Sequence, residues 1–467
     1  MLVLNGKGRS LVTANGGISF WWQQIGTPEL RAPLPGSLDV DVAIVGAGYT
    51  GMWTAYYLKK AQPDLRIALL ESRFAGFGAS GRNGGWLTHE LTGGRERYAH
   101  AYGRQAAIDH QRALNETVDE VIATAAAEGI DADIVKGGEL NVAYTPAQHA
   151  RLVATAKADA DFPGVDAVLL SAQDSAERVG VAGTLGGLWH PHCARLHPAK
   201  LARGLSVAVE TLGVEIYENT AVTEIRPGAA VTERGTVRAD YVLRTTEGFT
   251  ANLRGEHRTW LPMNSSMIVT EPLPAAVWDE IGWAGRETLG DFAHVYMYAQ
   301  RTADDRIAFG GRGVPYRYGS KVDTDGATQQ AAIDSLTALL RRFFPAAARV
   351  PVDHAWAGVL GVPRDWSATV GLDRASGLGW AGGYVGTGVT ATNLAGRTLR
   401  DLVLGHDTEL TRLPWSGHRS RKWEPEPLRW LAVQGIYAAY RAADRSEFKG
   451  RATTSPLARL ADVVAGR

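Results

Sequence analysis

Residues 41–60 read DVAIVGAGYTGMWTAYYLKK, and their order decides the fold. Val40, Val42 and Ile44 alternate with Asp41, Ala43 and Val45 as in a buried strand, and Tyr49 to Ala61 keeps a helical pattern until Pro63 ends it. Between strand and helix stand Gly46, Gly48 and Gly51. In such a unit the first glycine permits a tight turn, the second lets backbone amides approach a pyrophosphate, and the third lets helix and strand pack closely. The helix N-terminus then faces the phosphates. Glu71 closes the next apolar run, ALLE, twenty residues past Gly51, where a carboxylate accepts hydrogen bonds from a ribose diol and disfavours the extra phosphate of NADP. The stretch reads as an adenine-dinucleotide site; the competing reading is a glycine turn serving packing alone.

A chain of 467 residues predicts two or three domains, one of them interrupted by another. Lys plus Arg and Asp plus Glu both number 49, so no net field draws the protein to nucleic acid or an anionic membrane, and a small soluble substrate is expected. Cys193 is the sole cysteine, which excludes an intrachain disulfide and a cysteine-rich zinc site and suits a reducing cytoplasm. The N-terminus lacks the apolar core of a signal peptide, and no stretch is apolar for long enough to form a membrane helix, so a cytoplasmic protein without an integral membrane segment is expected. Residues 1–36 read as an N-terminal arm, with Phe20, Trp21 and Trp22 ahead of the Pro-rich connector TPELRAPLPG.

Two further stretches point to a flavin. SRFAGFGASGRNGGW, residues 72–86, is almost bare of side chains and can lie against a flat ring system, although a surface loop has the same composition. GLGWAGGYVGTGVTATNLAGRTLRDLVLG, residues 377–405, reads strand, glycine loop, helix, with Val389, Leu394, Leu399 and Leu402 on the apolar face. The helix N-terminus near Gly386 and Gly388 would present amides to an electron-rich group such as a reduced flavin, and a structural turn with a C-cap glycine is the alternative.

The fingerprint from Asp41 to Gly51, the loop GFGASGRNGG, the segment HPAKLARGL at 197–205 and the closing GGYVGTGV together resemble the D-amino-acid oxidase and glycine oxidase superfamily, most nearly its gamma-glutamylputrescine oxidase-like branch. The resemblance implies an α/β (α+β) protein with a Rossmann-like FAD-binding domain assembled from 37–92, 193–261 and 355–411. Interleaved with it, a substrate domain on an antiparallel or mixed sheet would take 93–192 and 262–354, and 412–467 would form a C-terminal helical tail. The FAD-binding residues would be Gly46, Gly48, Gly51, Glu71, Ser72, Arg73, Gly78, Ala79, Ser80, Arg82, Asn83, Gly84, Gly85, Gly383, Gly386, Thr387, Gly388 and Val389, with the backbone of Val222 beside the adenine. Thr245, Thr246 and Glu247 depart from the small residues usual in relatives at that place.

The chemistry implied is oxidation of a small amine or amino acid to an imine, with hydride transfer to FAD and reoxidation by oxygen. A dehydrogenase passing electrons to a quinone or protein, and a nucleotide-binding module without turnover, are the alternatives. Arg312 is the first candidate substrate anchor, following the strand IAFGG, or else a surface arginine. Tyr296 and Tyr298 share one side of a strand and are candidate pocket walls, or core aromatics. His89 and His192 are candidate catalytic residues; Arg364 and Trp366 are further pocket candidates. WHPHCARLH packs His190, His192, Cys193 and His197 together, but the spacing is not that of a zinc site, and no metal is expected. Ala308 stands where sarcosine-oxidising relatives carry the lysine that assists reaction with oxygen. Because GASGRNGG has no histidine and Cys193 lies elsewhere than the attachment cysteine of those relatives, FAD is expected to be noncovalent. In the Arg-rich tail, Leu428, Leu431, Ile436 and Tyr440 are spaced for an amphipathic helix.

Overall fold

The computed structural model describes residues 12–311, 316–322 and 325–466. Val42 and Ile44 pack with Met52, Trp53, Leu58 and Leu69, while Ala43 and Val45 face Leu34, Ala68, Leu70 and Val242. Both faces of strand Leu38–Val45 are therefore buried, as in a central parallel strand. Ile67–Leu70 pairs parallel on one side, through Val42↔Ile67 to Val45↔Leu70, and Gly235–Arg244 pairs parallel on the other. The eight-stranded sheet runs Val222–Arg226, Ala229–Thr232, Gly235–Arg244, Leu38–Val45, Ile67–Leu70, Glu215–Tyr217, and the hairpin Thr369–Asp373/Leu378–Gly382 joins it beside Gly235–Arg244. Helices Tyr49–Ala61, Pro198–Thr211 and Gly388–Leu404 complete the Rossmann-like unit.

A second, nine-stranded sheet is mixed, with Val12–Asn15 and Val352–Val362 parallel, Thr288–Asp291 and Glu139–Ala143 parallel, and its other pairings antiparallel. Its central strand Leu261–Thr270 is buried along its whole length, covered on one side by the amphipathic helix Gln330–Phe343. A two-stranded ribbon, Trp86–Thr88 with Cys193–Arg195, leads from the flavin-loop stretch into the second sheet.

The tail forms helices Leu428–Phe448 and Pro456–Ala465, packed against each other. Its buried stripe differs from the spacing expected. Val433, Tyr437, Tyr440 and Ala443 are buried, whereas Leu428 and Leu431 are 60% and 55% exposed. The reason is polar. Buried Arg429 pairs with Glu426 and lies over Tyr316, Asp444 accepts the amides of His294 and Val295, and Glu447 pairs with Arg151 and His294. These ties claim the inward face and turn the neighbouring leucines outward. Among the described residues, no helix is long and apolar enough to cross a membrane.

Candidate functional site

The fingerprint turn is built on two demands that only glycine meets here. Gly46 sits at φ +104°, and a Cβ on Gly51 would lie 2.0 Å from the Gly46 carbonyl oxygen. The helix that follows has Gly48 at its N-cap and no acid in its first turn, so beyond the Tyr49 amide, which the Ser80 hydroxyl caps, its positive end meets no countercharge. Glu71 reaches the same turn: Oε2 accepts from the Ala47 amide at 3.0 Å, and Oε1 accepts from the Arg73 amide at 3.0 Å and the Ser72 hydroxyl at 3.1 Å. Burial pushes its carboxyl upward, against those three hydrogen bonds. Ser80 Oγ accepts from the Tyr49 amide at 2.8 Å, joining the second glycine stretch to the helix start.

That second stretch is held from outside by its carbonyls. Trp21 Nε1 donates to Asn83 O at 2.9 Å, Ser19 Oγ to Gly81 O at 2.7 Å, Trp356 Nε1 to Arg82 O at 2.9 Å, and Gln300 Nε2 to Gly84 O at 2.7 Å. Arg82, 2% exposed, turns inward, donates to Phe77 O at 2.9 Å and lies 4.4 Å over the Phe77 ring. The Asn83 amide donates to Ser80 O and accepts from Gly85 N. Arg82 and Asn83 thus shape the loop from behind. Gly78 and Ala79 enter the short 3-10 turn Ala79–Gly81 that presents it.

The third stretch is fixed by residues that the sequence did not single out as ligands. The Glu247 carboxylate accepts from Gly383 N at 3.0 Å and Tyr384 N at 3.2 Å, and burial pushes its carboxyl up to about 7. Thr387 Oγ1 lies 2.7 Å from Thr92 Oγ1, and the Tyr384 hydroxyl 3.1 Å from Thr50 Oγ1 on the fingerprint helix. Gly388 and Val389 then open helix Gly388–Leu404, which has no acid in its first turn. Val222 starts its strand half-buried, paired with Thr232.

The glycine stretches converge on the two tyrosines. A Cβ on Gly84 would lie 2.8 Å from the Tyr298 ring, and one on Gly386 would lie 4.0 Å from the Tyr296 hydroxyl. Tyr298 also shares a 2.8 Å hydrogen bond with Ser265 and stands edge-on to Trp86. Arg312 lies outside the described residues. His89 stacks on His190 with ring centroids 3.3 Å apart; burial and the neighbouring imidazole hold His89 well below its usual range, and burial holds His190 at about 3. His192 bonds Asp166 at 2.8 Å and neighbours His190, so its contacts lie with this imidazole group. His197 caps helix Pro198–Thr211 through Nδ1. Cys193 is buried against Thr288, its thiol pushed well up by burial. Arg364 pairs with Glu424, and Trp366 donates to Ala465 O, which places both against the tail. Glu90, exposed, follows the ribbon strand.

The cradle fits FAD in three ways: a helix end with no acid in its first turn for a pyrophosphate, a carboxylate at ribose distance along the chain, and backbone at Gly386, where an added Cβ would meet nothing closer than 3.8 Å, for a planar ring. A family model described as FAD dependent oxidoreductase matches residues 41–402. The chain is 29% identical over 376 residues to gamma-glutamylputrescine oxidoreductase of Escherichia coli, covering 79% of this chain and 84% of that one. It is 27% identical over 390 residues to the probable oxidoreductase OrdL of Haemophilus influenzae, covering 81% and 86%. Among solved structures, glycine oxidase from Geobacillus kaustophilus shares the fold with a TM-score of 0.68 at 20% identity, over 82% of this chain and 99% of that one.

Proposed function

From a chain that belongs to the family of FAD-dependent oxidoreductases, we propose an enzyme that oxidises the C–N bond of a small amine, of the ω-amine type met in gamma-glutamylputrescine. The observation that carries this reading is the gathering of two tyrosines at the glycine loops: the Tyr298 ring packs directly on Gly84, and the Tyr296 hydroxyl lies 4.0 Å from where a Cβ on Gly386 would stand. The 29% identity to the Escherichia coli oxidoreductase supports the substrate class.

Bound FAD supplies the two-electron acceptor for the hydride on the carbon beside nitrogen. The chain supplies placement. Glu71 and the N-terminal end of helix Tyr49–Ala61 would hold the nucleotide half, and the anchored loop 76–85 and the Gly383–Gly388 loop would hold the ring half. Tyr296 and Tyr298 exclude water and direct the C–H bond, and Arg312 anchors an anionic part of the substrate. His89 and His190 are held neutral by their burial, so they add no cation that would repel an ammonium substrate. The amine reacts unprotonated, and the imine released is hydrolysed by water. Oxygen or another acceptor then takes the electrons.

The same reading divides the chain into FAD-binding segments 37–92, 193–261 and 355–411, substrate segments 93–192 and 262–354, arm 1–36 and tail 412–467. Membership of the two sheets supports it, with strand Val352–Val362 running across the 354/355 boundary. A cytoplasmic location rests on the single cysteine. An anaerobic screen of ω-amines, N-methyl amino acids and aminophosphonates tests the function: ω-amines should bleach the flavin absorbance fastest. Bleaching by none would leave a nucleotide-binding module. An oxygen electrode then separates oxidase from dehydrogenase by peroxide formation.

A further inference from the structure

A cavity of about 350 Å³ opens where the C-terminal end of strand Gly235–Arg244 meets the Thr369–Asp373/Leu378–Gly382 hairpin. Ile225 and Leu378 line it, and both pack with the apolar cluster on the sheet face opposite helix Tyr49–Ala61. Gly46, Glu71, the loop 76–85 and Gly386 contribute nothing to its lining, so it is separate from the cradle described above. Its outer wall is His418 to Lys422, beyond the span that the family model matches.

The lining carries a surplus of positive charge. Arg244, Arg254, Arg419 and Lys422 face two carboxylates, Glu256 and Asp373. Each carboxylate is engaged locally, Glu256 by the Thr259 hydroxyl at 2.5 Å and Asp373 by the Ser376 hydroxyl at 2.6 Å. Arg254 holds Glu224 at 3.5 Å, and Lys422 donates to the Gly255 carbonyl at 3.1 Å. Arg244 Nη1 donates to the Thr250 hydroxyl oxygen at 3.1 Å and Arg419 acts electrostatically on Asp373, but neither arginine has an ion-pair partner within 4.0 Å among the described residues. Instead each lies on an indole: Arg244 4.4 Å from the Trp260 ring centre, Arg419 4.5 Å from that of Trp380. Burial draws the Arg244 guanidinium below its usual range, against the nearby Glu256 and Glu247 carboxylates, which favour its charge.

A guanidinium over an indole is attracted by the ring face and can still donate its remaining N–H groups to oxygen atoms. The cavity volume lies at the lower end of the range for small-ligand sites, enough for one ring system with one anionic group. We propose that this cavity is a second binding site, for a planar organic anion: an aromatic or heteroaromatic ring bearing a phosphate or carboxylate. The ring stacks against the Trp380–Arg419 pair, and the anionic group lies between Arg244 and Arg419.

The test uses the FAD-saturated holoenzyme, because Trp260 also packs where a Cβ on Gly382 or Gly383 would lie, next to the second glycine loop. Calorimetric titrations with adenosine 5′-monophosphate, benzoate, adenosine and inorganic phosphate separate ring from charge. The expected result is one saturable site for adenosine monophosphate or benzoate, at least tenfold tighter than for adenosine or phosphate. Arg419→Ala and Trp380→Leu should each weaken it at least fivefold. If adenosine monophosphate dominates, the anion recognised is a phosphate; if benzoate does, a carboxylate. No saturable binding by either below millimolar concentration, phosphate binding as tightly as the ring compounds, or an unchanged affinity in both variants overturns the proposal.

Discussion

Gly81→Ala puts the flavin assignment under direct strain. A Cβ there would stand 2.0 Å from Trp22 Nε1 and 2.5 Å from the Gly76 carbonyl oxygen. Carbon needs about 3.5 Å from such atoms, so loop and indole must separate by roughly 1.5 Å. Trp22 has no room to swing: it is 0% exposed, edge-on to Phe74 with ring centres 5.1 Å apart, and directs Nε1 at Gly76 O. The loop moves instead, against the Ser19 hydroxyl that holds Gly81 O. Overpacking of this kind costs about 1–3 kcal/mol. If the loop supports the ring of FAD, the cost appears in cofactor affinity, as a Kd weakened about 5- to 160-fold. The assay is titration of apoprotein with FAD, followed by quenching of flavin fluorescence. Gly36→Ala, where an added Cβ meets nothing within 4 Å, is the control and should leave Kd unchanged. A Gly81→Ala protein that folds normally and binds FAD within twofold of the wild type refutes the placement of the loop.

Tyr298→Phe removes a hydroxyl that shares a 2.8 Å bond with Ser265, worth about 1 kcal/mol, and should slow anaerobic flavin reduction by roughly fivefold in stopped-flow traces. Tyr298→Ala, which also removes the wall, should slow it far more. His110 is 1% exposed, neither ring nitrogen has a hydrogen-bond partner, and burial holds it at about 3. The unfolded chain takes up its proton first as pH falls, so stability is intact above about 6.5 and is lost progressively toward 3, by about 2 kcal/mol at pH 5. Urea midpoints at pH 8, 6 and 5 should fall in that order, and His110→Leu should lessen the fall by about that amount, the rest coming from the other buried imidazoles, His89 and His190 among them. Acid precipitation of the holoenzyme should leave yellow flavin in the supernatant; colour kept in the pellet would mean a covalent link.

The features legible in the sequence were local ones. A strand, three glycines, a helix and a carboxylate lie within 31 residues, from Asp41 to Glu71, and period and turn chemistry suffice to read them. The aromatic arm was legible as something that packs, yet its role was hidden, because Ser19 and Trp21 meet Gly81 and Asn83 across 62 residues. WHPHCARLH drew attention by density, but the structure spends its histidines on a stack, an aspartate and a helix cap, none of which has a spacing signature. The tail helix misled in another way. Its inward face carries Arg429, Asp444 and Glu447, which a count of apolar residues assigns to solvent.

Thr245 and Glu247 are the sharpest case of a departure that becomes intelligible in three dimensions. Small residues at the end of strand Gly235–Arg244 would leave the carbonyls of Val45 and Gly46 without this donor; Thr245 Oγ1 lies 2.9 Å from each and shares its one hydrogen between them. A Cβ on Gly51 would lie 3.0 Å from that same oxygen, so the third glycine makes room for the threonine as well as for the turn. Glu247 adopts φ +43°, an unfavourable backbone for a residue with a side chain, costing of order 1 kcal/mol. Its carboxyl group accepts from the Gly383 and Tyr384 amides, which ties the end of this strand to the glycine loop. The larger residues therefore cross-link the fingerprint turn to the distant glycine loop.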